Sequence, residues 1–119
     1  MKVLSLEQMN KLKELGVDVN PKGMCLMYTS DSSDDYYLKY GESTCEDDVV
    51  AFSLQDIIEL LPYTFNWHYL EICKSSIAYY FIYENINGED SKMEKGDTIL
   101  KAAYEMLIWV IENGYLKTK

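Results

Sequence analysis

The sequence of 119 residues contains no arginine, and its formal net charge is −9, from 20 acidic against 11 basic residues. Arginine is the usual bidentate reader of guanine and phosphate. A nucleic-acid backbone or an anionic membrane surface repels an acidic chain that lacks arginine. We therefore expect no direct nucleic-acid binding and no membrane partner. The acidity keeps the protein soluble or attracts a basic partner.

The chain also lacks a continuous apolar run of about 18 residues, the length that a membrane-spanning helix needs. The opening segment MKVLSLEQMN has neither the apolar core nor the small-residue cleavage site of a signal peptide. No CxxC pair occurs, and the cysteines Cys25, Cys45 and Cys73 are odd in number and widely spaced. These absences predict a cytoplasmic protein with reduced thiols and no disulfide framework.

No motif of a catalytic or cofactor-binding site is present. The glycines are isolated, and neither GxSxG nor HExxH occurs. The single histidine, His68, and three scattered cysteines do not supply the closely spaced ligands of a zinc site. We predict no catalytic, cofactor-binding or metal-ligating residue, and no enzyme. A Cys/His enzyme would need Cys25 or Cys45 beside His68, because Cys73 lies on the opposite face of the same predicted strand.

The segment DSSDDYYLKYGE, Asp31 to Glu42, raises the question of an EF-hand calcium loop. Its Asp and Ser residues match the first, third and fifth positions of such a loop. However, Tyr36 stands where the loop requires glycine, and Lys39 stands where a ligand or water is needed. Both flanks predict strands, whereas an EF-hand requires helices. A turn between strands explains the same residues, and cation binding by this segment stays open.

The first helix is marked by its caps. Ser5 and Gln8 have the spacing of a capping box, and apolar residues recur at helical intervals over Leu6 to Leu15. Gly16 then suits the left-handed position that ends a helix, with Val17 packing back onto the last turn.

Two further helices follow from the same kinds of signal. Ser53 is an N-cap that begins the second helix, and Pro62 stops it. The third begins at Asp97 or Thr98 and ends at Gly114. It is apolar around most of its circumference, which predicts the central core helix.

Four strands are predicted in two pairs. Met24–Ser30 and Tyr36–Tyr40 form the first pair, and Trp67–Cys73 and Ile77–Glu84 form the second. The polar stretch Glu84–Gly96 is predicted to be a loop.

The resulting order is α-β-β-α-β-β-α, a single α+β domain over residues 1–119. It predicts an antiparallel sheet of about four strands packed by helices, with the C-terminal helix central to the core. Whether the two strand pairs share one sheet stays open.

Tyrosine is abundant, with 11 residues in the chain. Tyrosine suits strands by propensity, and it is also enriched at interfaces, where one end of the side chain is dry and the other is wet. The strand tyrosines are the candidate interaction surface: Tyr36, Tyr37, Tyr40, Tyr79, Tyr80 and Tyr83. The carboxylate run Glu46–Asp48 is predicted to be solvated loop surface.

Three segments together carry a resemblance: LSLEQMNKLKELGVDV, AFSLQDIIELLP and AAYEMLIWVIENGYLK. They resemble an uncharacterised family of short hypothetical proteins from gut anaerobic bacteria and their phages and mobile elements. The resemblance covers most of the chain and rests on helix and cap patterns. It implies a small intracellular accessory protein and transfers no catalytic or binding residue.

The leading functional hypothesis is a non-enzymatic intracellular binding or accessory module that acts through protein–protein contacts, with a protein partner or as a homodimer. Its contact surface would be the tyrosine-bearing sheet, the exposed part of the third helix or the acidic loops. The alternative is an acidic decoy that mimics nucleic acid and binds a nucleic-acid-handling protein. The second alternative is the Cys/His enzyme.

Overall fold

The computed structural model describes residues 2–30, 35–88 and 91–116. It confirms an α+β protein with three helices and two antiparallel sheets. In chain order the elements are α1 (Leu6–Glu14), β1 (Cys25–Thr29), β2 (Tyr37–Gly41), β3 (Val49–Val50), α2 (Leu54–Leu60), β4 (Thr64–Phe65), β5 (His68–Lys74), β6 (Tyr79–Asn85), β7 (Lys92–Gly96) and α3 (Ile99–Glu112).

The internal contacts of the chain fall into two compact units, residues 3–52 and residues 53–116. The two predicted strand pairs lie in different sheets, one in each unit. That the whole chain behaves as a single domain stays a prediction.

The first unit contains α1 and a three-stranded sheet in the order β2-β1-β3. The predicted capping box is present at Ser5, whose hydroxyl accepts from the backbone N–H of Gln8. Beyond the helix, Gly16 has φ of 96°, and Val17 N–H donates to the Leu12 carbonyl over 3.0 Å. This is the Schellman ending expected of the sequence. The buried apolar residues of this unit are Leu4, Met9, Leu12, Val17, Val19, Met27, Val49, Ala51 and Phe52.

The second unit contains α2, α3 and a four-stranded sheet in the order β4-β5-β6-β7. Helix α3 packs on β6 and β7 and against α2, as its apolar circumference predicts. At the turn from β7 into α3, a side chain at Gly96 would place its Cβ 2.8 Å from the Ala102 backbone nitrogen, so glycine allows this close approach. The buried apolar residues are Ile57, Leu61, Phe81, Tyr83, Ala102, Ala103, Met106, Leu107 and Val110.

The prediction of a polar loop over Glu84–Gly96 is wrong at both ends. Glu84 and Asn85 are the last residues of β6. Residues Lys92–Gly96 form β7, which pairs with β6 along its length, from Tyr79 opposite Gly96 to Tyr83 opposite Lys92. The reason is that β7 is an edge strand. An edge strand can be polar and rich in lysine, because only one of its sides pairs with the sheet.

Among the residues that the structure describes, no helix combines the length and the apolar character needed to cross a membrane.

Candidate protein-binding edge

Strand β2 lies at the edge of the three-stranded sheet. It pairs with β1 on one side, with Leu26 opposite Tyr40 and Tyr28 opposite Leu38. On its other side no strand is present within the described residues. Alternate residues of an edge strand direct their backbone N–H and C=O groups away from the sheet, so β2 can accept another strand there.

The side chains of β2 are unusually apolar for an exposed edge. Leu38 and Tyr40 are exposed, Tyr40 to 67%, and so is Tyr36, which lies just before the strand. Because side chains alternate along a strand, these three point to the same side of the sheet, where half-buried Leu26 also lies. We call these four residues the β2 edge surface. The remaining predicted tyrosine of this strand, Tyr37, is exposed on the opposite side.

Tyr28 fixes the inner boundary of this surface. Its hydroxyl donates to the Leu4 carbonyl over 2.7 Å, and burial raises the pKa of the phenol. The bond joins the middle of β1 to the segment before α1. Strand β1, which pairs with β2, is therefore held by side-chain and backbone hydrogen bonds. The edge is thus already formed before a partner binds.

The other sheet edges are protected in ways that β2 is not. Edge strand β7 carries lysines at positions 92 and 95. Strand β3 is only two residues long, and Val50 N–H donates to the Val19 carbonyl beyond it. Lysines, short strands and covering segments are the usual defences against unwanted strand pairing. Strand β2 has a single lysine, Lys39, on the side opposite to Leu38 and Tyr40.

Several carboxylates follow β2 along the chain. Glu42, Glu46 and Asp47 are exposed, and none forms an ion pair within the described residues. Before the strand, Asp35 is also exposed. The edge surface is thus an apolar stretch with acidic groups at its ends.

Asp48 departs from the prediction that residues 46–48 are solvated. Its side chain is buried, with 3% of its surface exposed. Oδ2 accepts from the Ser43 hydroxyl over 2.9 Å and from the backbone N–H groups of Thr44 and Cys45 over 3.1 and 3.2 Å. Burial would raise the pKa of this carboxyl, but these bonds and the Thr29 hydroxyl beside it lower the pKa below its usual value.

This carboxylate organises the acidic loop. The hydrogen bonds to Asp48 close the turn from residue 43 to residue 48, directly after β2 and before β3. The loop therefore presents Glu46 and Asp47 outward from a fixed backbone.

A small cavity of about 130 Å³ lies beside Tyr36. Its lining combines apolar with polar side chains from α1, the β2 edge and the acidic loop: Leu6, Asn10, Lys13, Tyr36, Asp47 and Val49. It gives Tyr36 a second neighbouring surface on the α1 side.

The tyrosines of the second unit form no continuous exposed surface. Tyr79 and Tyr80 are half-buried and point to opposite sides of β6, a central strand with neighbours on both edges. Tyr83 is fully buried, so its assignment to an interaction surface is wrong. Its hydroxyl donates to the Pro62 carbonyl over 2.7 Å, and burial strongly raises its pKa. It shares with Phe81 the face of β6 that α3 covers.

Trp67 is a feature that the sequence reasoning missed, because it was placed within a strand. It lies instead at the tip of the β4–β5 hairpin, where Asn66 and Trp67 have φ of 45° and 68°. Its side chain is 71% exposed and borders a cavity of about 250 Å³. The signal that could have found it is the asparagine before it, since such two-residue turns favour asparagine followed by glycine.

His68 and the cysteines were the candidates for catalysis. The His68 ring stacks on Phe65 at 5.4 Å, and its Nδ1 lies 2.9 Å from the Asn66 carbonyl. Cys45 and Cys73 are exposed free thiols, and Cys25 is a half-buried one. Within the described ranges, no group of three or more His, Cys, Asp or Glu side chains could hold a metal ion.

The structure describes only part of the candidate calcium loop, Asp31 to Glu42. Residues 31–34, which include the first and third positions of that loop, lie outside the described residues. The flanks are strands β1 and β2, as predicted, and not helices.

Comparisons with protein-family models, with curated proteins and with solved structures find no match to this chain. The fold is α+β, and the site that stands out in it is an open, aromatic sheet edge.

Proposed function

We propose that this protein is a non-enzymatic binding module that takes an extended segment of a partner protein onto the outer edge of β2. The observation that carries the proposal is the combination of an open edge with exposed Leu38 and Tyr40. The partner would become the next strand of the β2-β1-β3 sheet, a recognised mode of peptide binding.

Two kinds of contact would contribute to binding. Backbone hydrogen bonds between β2 and the added strand supply affinity that is independent of sequence. Burial of Leu38 and Tyr40 under alternate partner side chains supplies the apolar contribution, about 1.5–3 kcal/mol for each side chain that becomes fully buried. Tyrosine is favoured in this role because it offers a large contact area and a hydroxyl at its wet end.

The proposal is tested with a synthetic extended peptide of alternating valine and threonine with lysine ends. Binding is followed by amide hydrogen exchange and by NMR chemical shifts of the labelled protein. We expect slowed exchange in the segment Leu38–Tyr40 and small changes elsewhere. Lysine in place of both side chains (Leu38→Lys with Tyr40→Lys) should weaken binding at least about tenfold, because edge lysines oppose strand pairing.

Tyr63 supplies the matched control. Its side chain is 72% exposed, against 67% for Tyr40, and it precedes β4 of the other sheet. Tyr63→Lys should bind the peptide as the wild type does. Equal binding by the Leu38/Tyr40 double variant, or protection of a segment other than β2, would show that the edge is not the binding site.

A further inference from the structure

We infer that the β2 edge selects a basic partner: an extended segment with alternating apolar residues and with Lys or Arg at the end that lies beside Glu42. This inference rests on the proposed strand addition and adds the chemistry of the partner.

The exposed side of β2 carries no cation. Lys39, the single basic residue of the strand, lies on the side opposite to Leu38 and Tyr40, next to Met27 on β1. After the strand, Glu42, Glu46 and Asp47 are exposed and form no ion pair in the described part of the chain. Glu42 directly follows β2, whereas Asp47 lines the cavity beside Tyr36, near the start of the strand. A segment placed along the edge meets apolar groups in the middle, Glu42 at one end and Asp47 near the other.

The backbone that carries Glu46 and Asp47 is held in place. The Asp48 side chain closes the loop that carries Glu46 and Asp47, through its bonds to Ser43, Thr44 and Cys45. Charges on a preorganised backbone lose less conformational freedom on binding than charges on a mobile tail. They therefore suit selective attraction of cationic side chains.

A second copy of this chain is a poor occupant. A two-fold axis beside β2 pairs the strand with itself in antiparallel orientation. Each copy carries a net charge of −9, so two copies that meet edge to edge repel each other. The same charges that oppose a homodimer favour a basic strand.

The test compares three peptides that share one alternating valine–threonine core and differ in their ends: lysine, serine or glutamate. Binding to the full-length protein is measured by calorimetry in low salt and in 1 M NaCl, with exchange protection of Leu38–Tyr40 as the site readout. Exposed charge pairs contribute modestly, so we expect lysine ends to bind about fivefold more tightly than serine ends. Glutamate ends should bind most weakly. High salt should remove these differences, because screening then acts within about 3 Å.

Two charge reversals locate the effect. Glu42→Lys should remove most of the preference for lysine ends. Glu14→Lys is the matched control, since Glu14 is also exposed and lies on α1 of the same unit. The substitution changes the net charge by the same amount. It should leave the preference intact.

The outcomes separate the two proposals. If the peptides with lysine and serine ends bind equally and both protect Leu38–Tyr40, strand addition holds and the basic partner is wrong. If no peptide protects the edge, both proposals fail. Protection of β2 that appears with protein concentration alone, together with a dimer in sedimentation, would show that the occupant is a second copy.

Discussion

At the scale of single residues, Asp48 shows how one carboxylate shapes the candidate site. It is buried, its Oδ2 accepts three hydrogen bonds, and its Oδ1 has no hydrogen-bond partner among the described residues. Removing the carboxylate removes all three bonds, and a hydrogen bond to a charged group contributes about 1.5–3 kcal/mol. The acidic loop beside β2 therefore depends on this side chain.

We expect Asp48→Ala to lower the free energy of unfolding by about 1–3 kcal/mol. Urea denaturation at pH 7 measures the change. Asp47→Ala is the control, because the neighbouring carboxylate is exposed and should change stability by less than about 0.5 kcal/mol. Equal effects of the two substitutions would show that the Asp48 hydrogen bonds do not stabilise the loop.

The Asp48 carboxylate also makes the stability of the protein depend on pH. The pKa of Asp48 is lower in the folded protein than its ordinary value of 3.8, so the folded state favours the ionised form. Its contribution is therefore fully present above that value and is lost as the pH falls through the folded-state pKa. The stability difference between wild type and Asp48→Ala should be constant near neutral pH and shrink below about pH 4. A difference that grew on acidification would contradict the sign of the shift.

At the scale of elements, the helices were predictable because their signals are local. Ser5, Ser53 and Thr98 cap α1, α2 and α3 as the sequence predicts, and each cap requires only a neighbour three residues away. The two-residue strands β3 and β4 and the polar strand β7 were missed. They exist because distant strands pair with them, and no local pattern records that pairing.

The candidate site was predictable in part for the same reason. Alternation placed Tyr36 and Tyr40 on one side of a strand, but it could not show that β2 is an edge. It also could not show that α3 covers the side of β6 that holds Tyr83. The Thr29 hydroxyl that helps to lower the pKa of Asp48 is 19 positions away in sequence. Which face is covered is decided by tertiary packing.

The β4–β5 hairpin carries a local conflict between sequence and conformation. Trp67 has a left-handed backbone with φ of 68°, which costs a residue with a Cβ about 1–2 kcal/mol relative to the usual regions. Its indole is mostly exposed, so packing offsets little of that cost. Glycine would fit this position of the β4–β5 turn better than tryptophan does.

We expect Trp67→Gly to raise the free energy of unfolding by about 0.5–1 kcal/mol. The reason is that removing the left-handed backbone strain at this position outweighs the conformational entropy that glycine adds to the unfolded chain. Chemical denaturation measures it. Trp67→Ala removes the same indole and keeps the Cβ, so it should give no gain. If alanine stabilised the hairpin as much as glycine, the effect would come from the indole and not from the backbone.

At the scale of the whole molecule, repulsion between carboxylates outweighs attraction. The net charge is −9. The described residues contain two ion pairs, Lys22–Asp18 and Lys92–Glu94, and the first of these is well exposed. Exposed pairs of this kind contribute about 0–1 kcal/mol. Salt therefore screens more repulsion than it screens attraction.

We expect the melting temperature to rise as NaCl increases from 10 to 500 mM, by about 4 °C if screening relieves about 1 kcal/mol. Scanning calorimetry of the full chain measures it. Two exposed reversals, Glu14→Lys and Glu46→Lys, each change the charge by two and bring the net charge from −9 to −5. This variant should melt higher at low salt and gain less from added NaCl. A melting temperature that fell with salt in the wild type would contradict this prediction. It would mean that attraction within the ion pairs contributes more to stability than repulsion between the carboxylates costs.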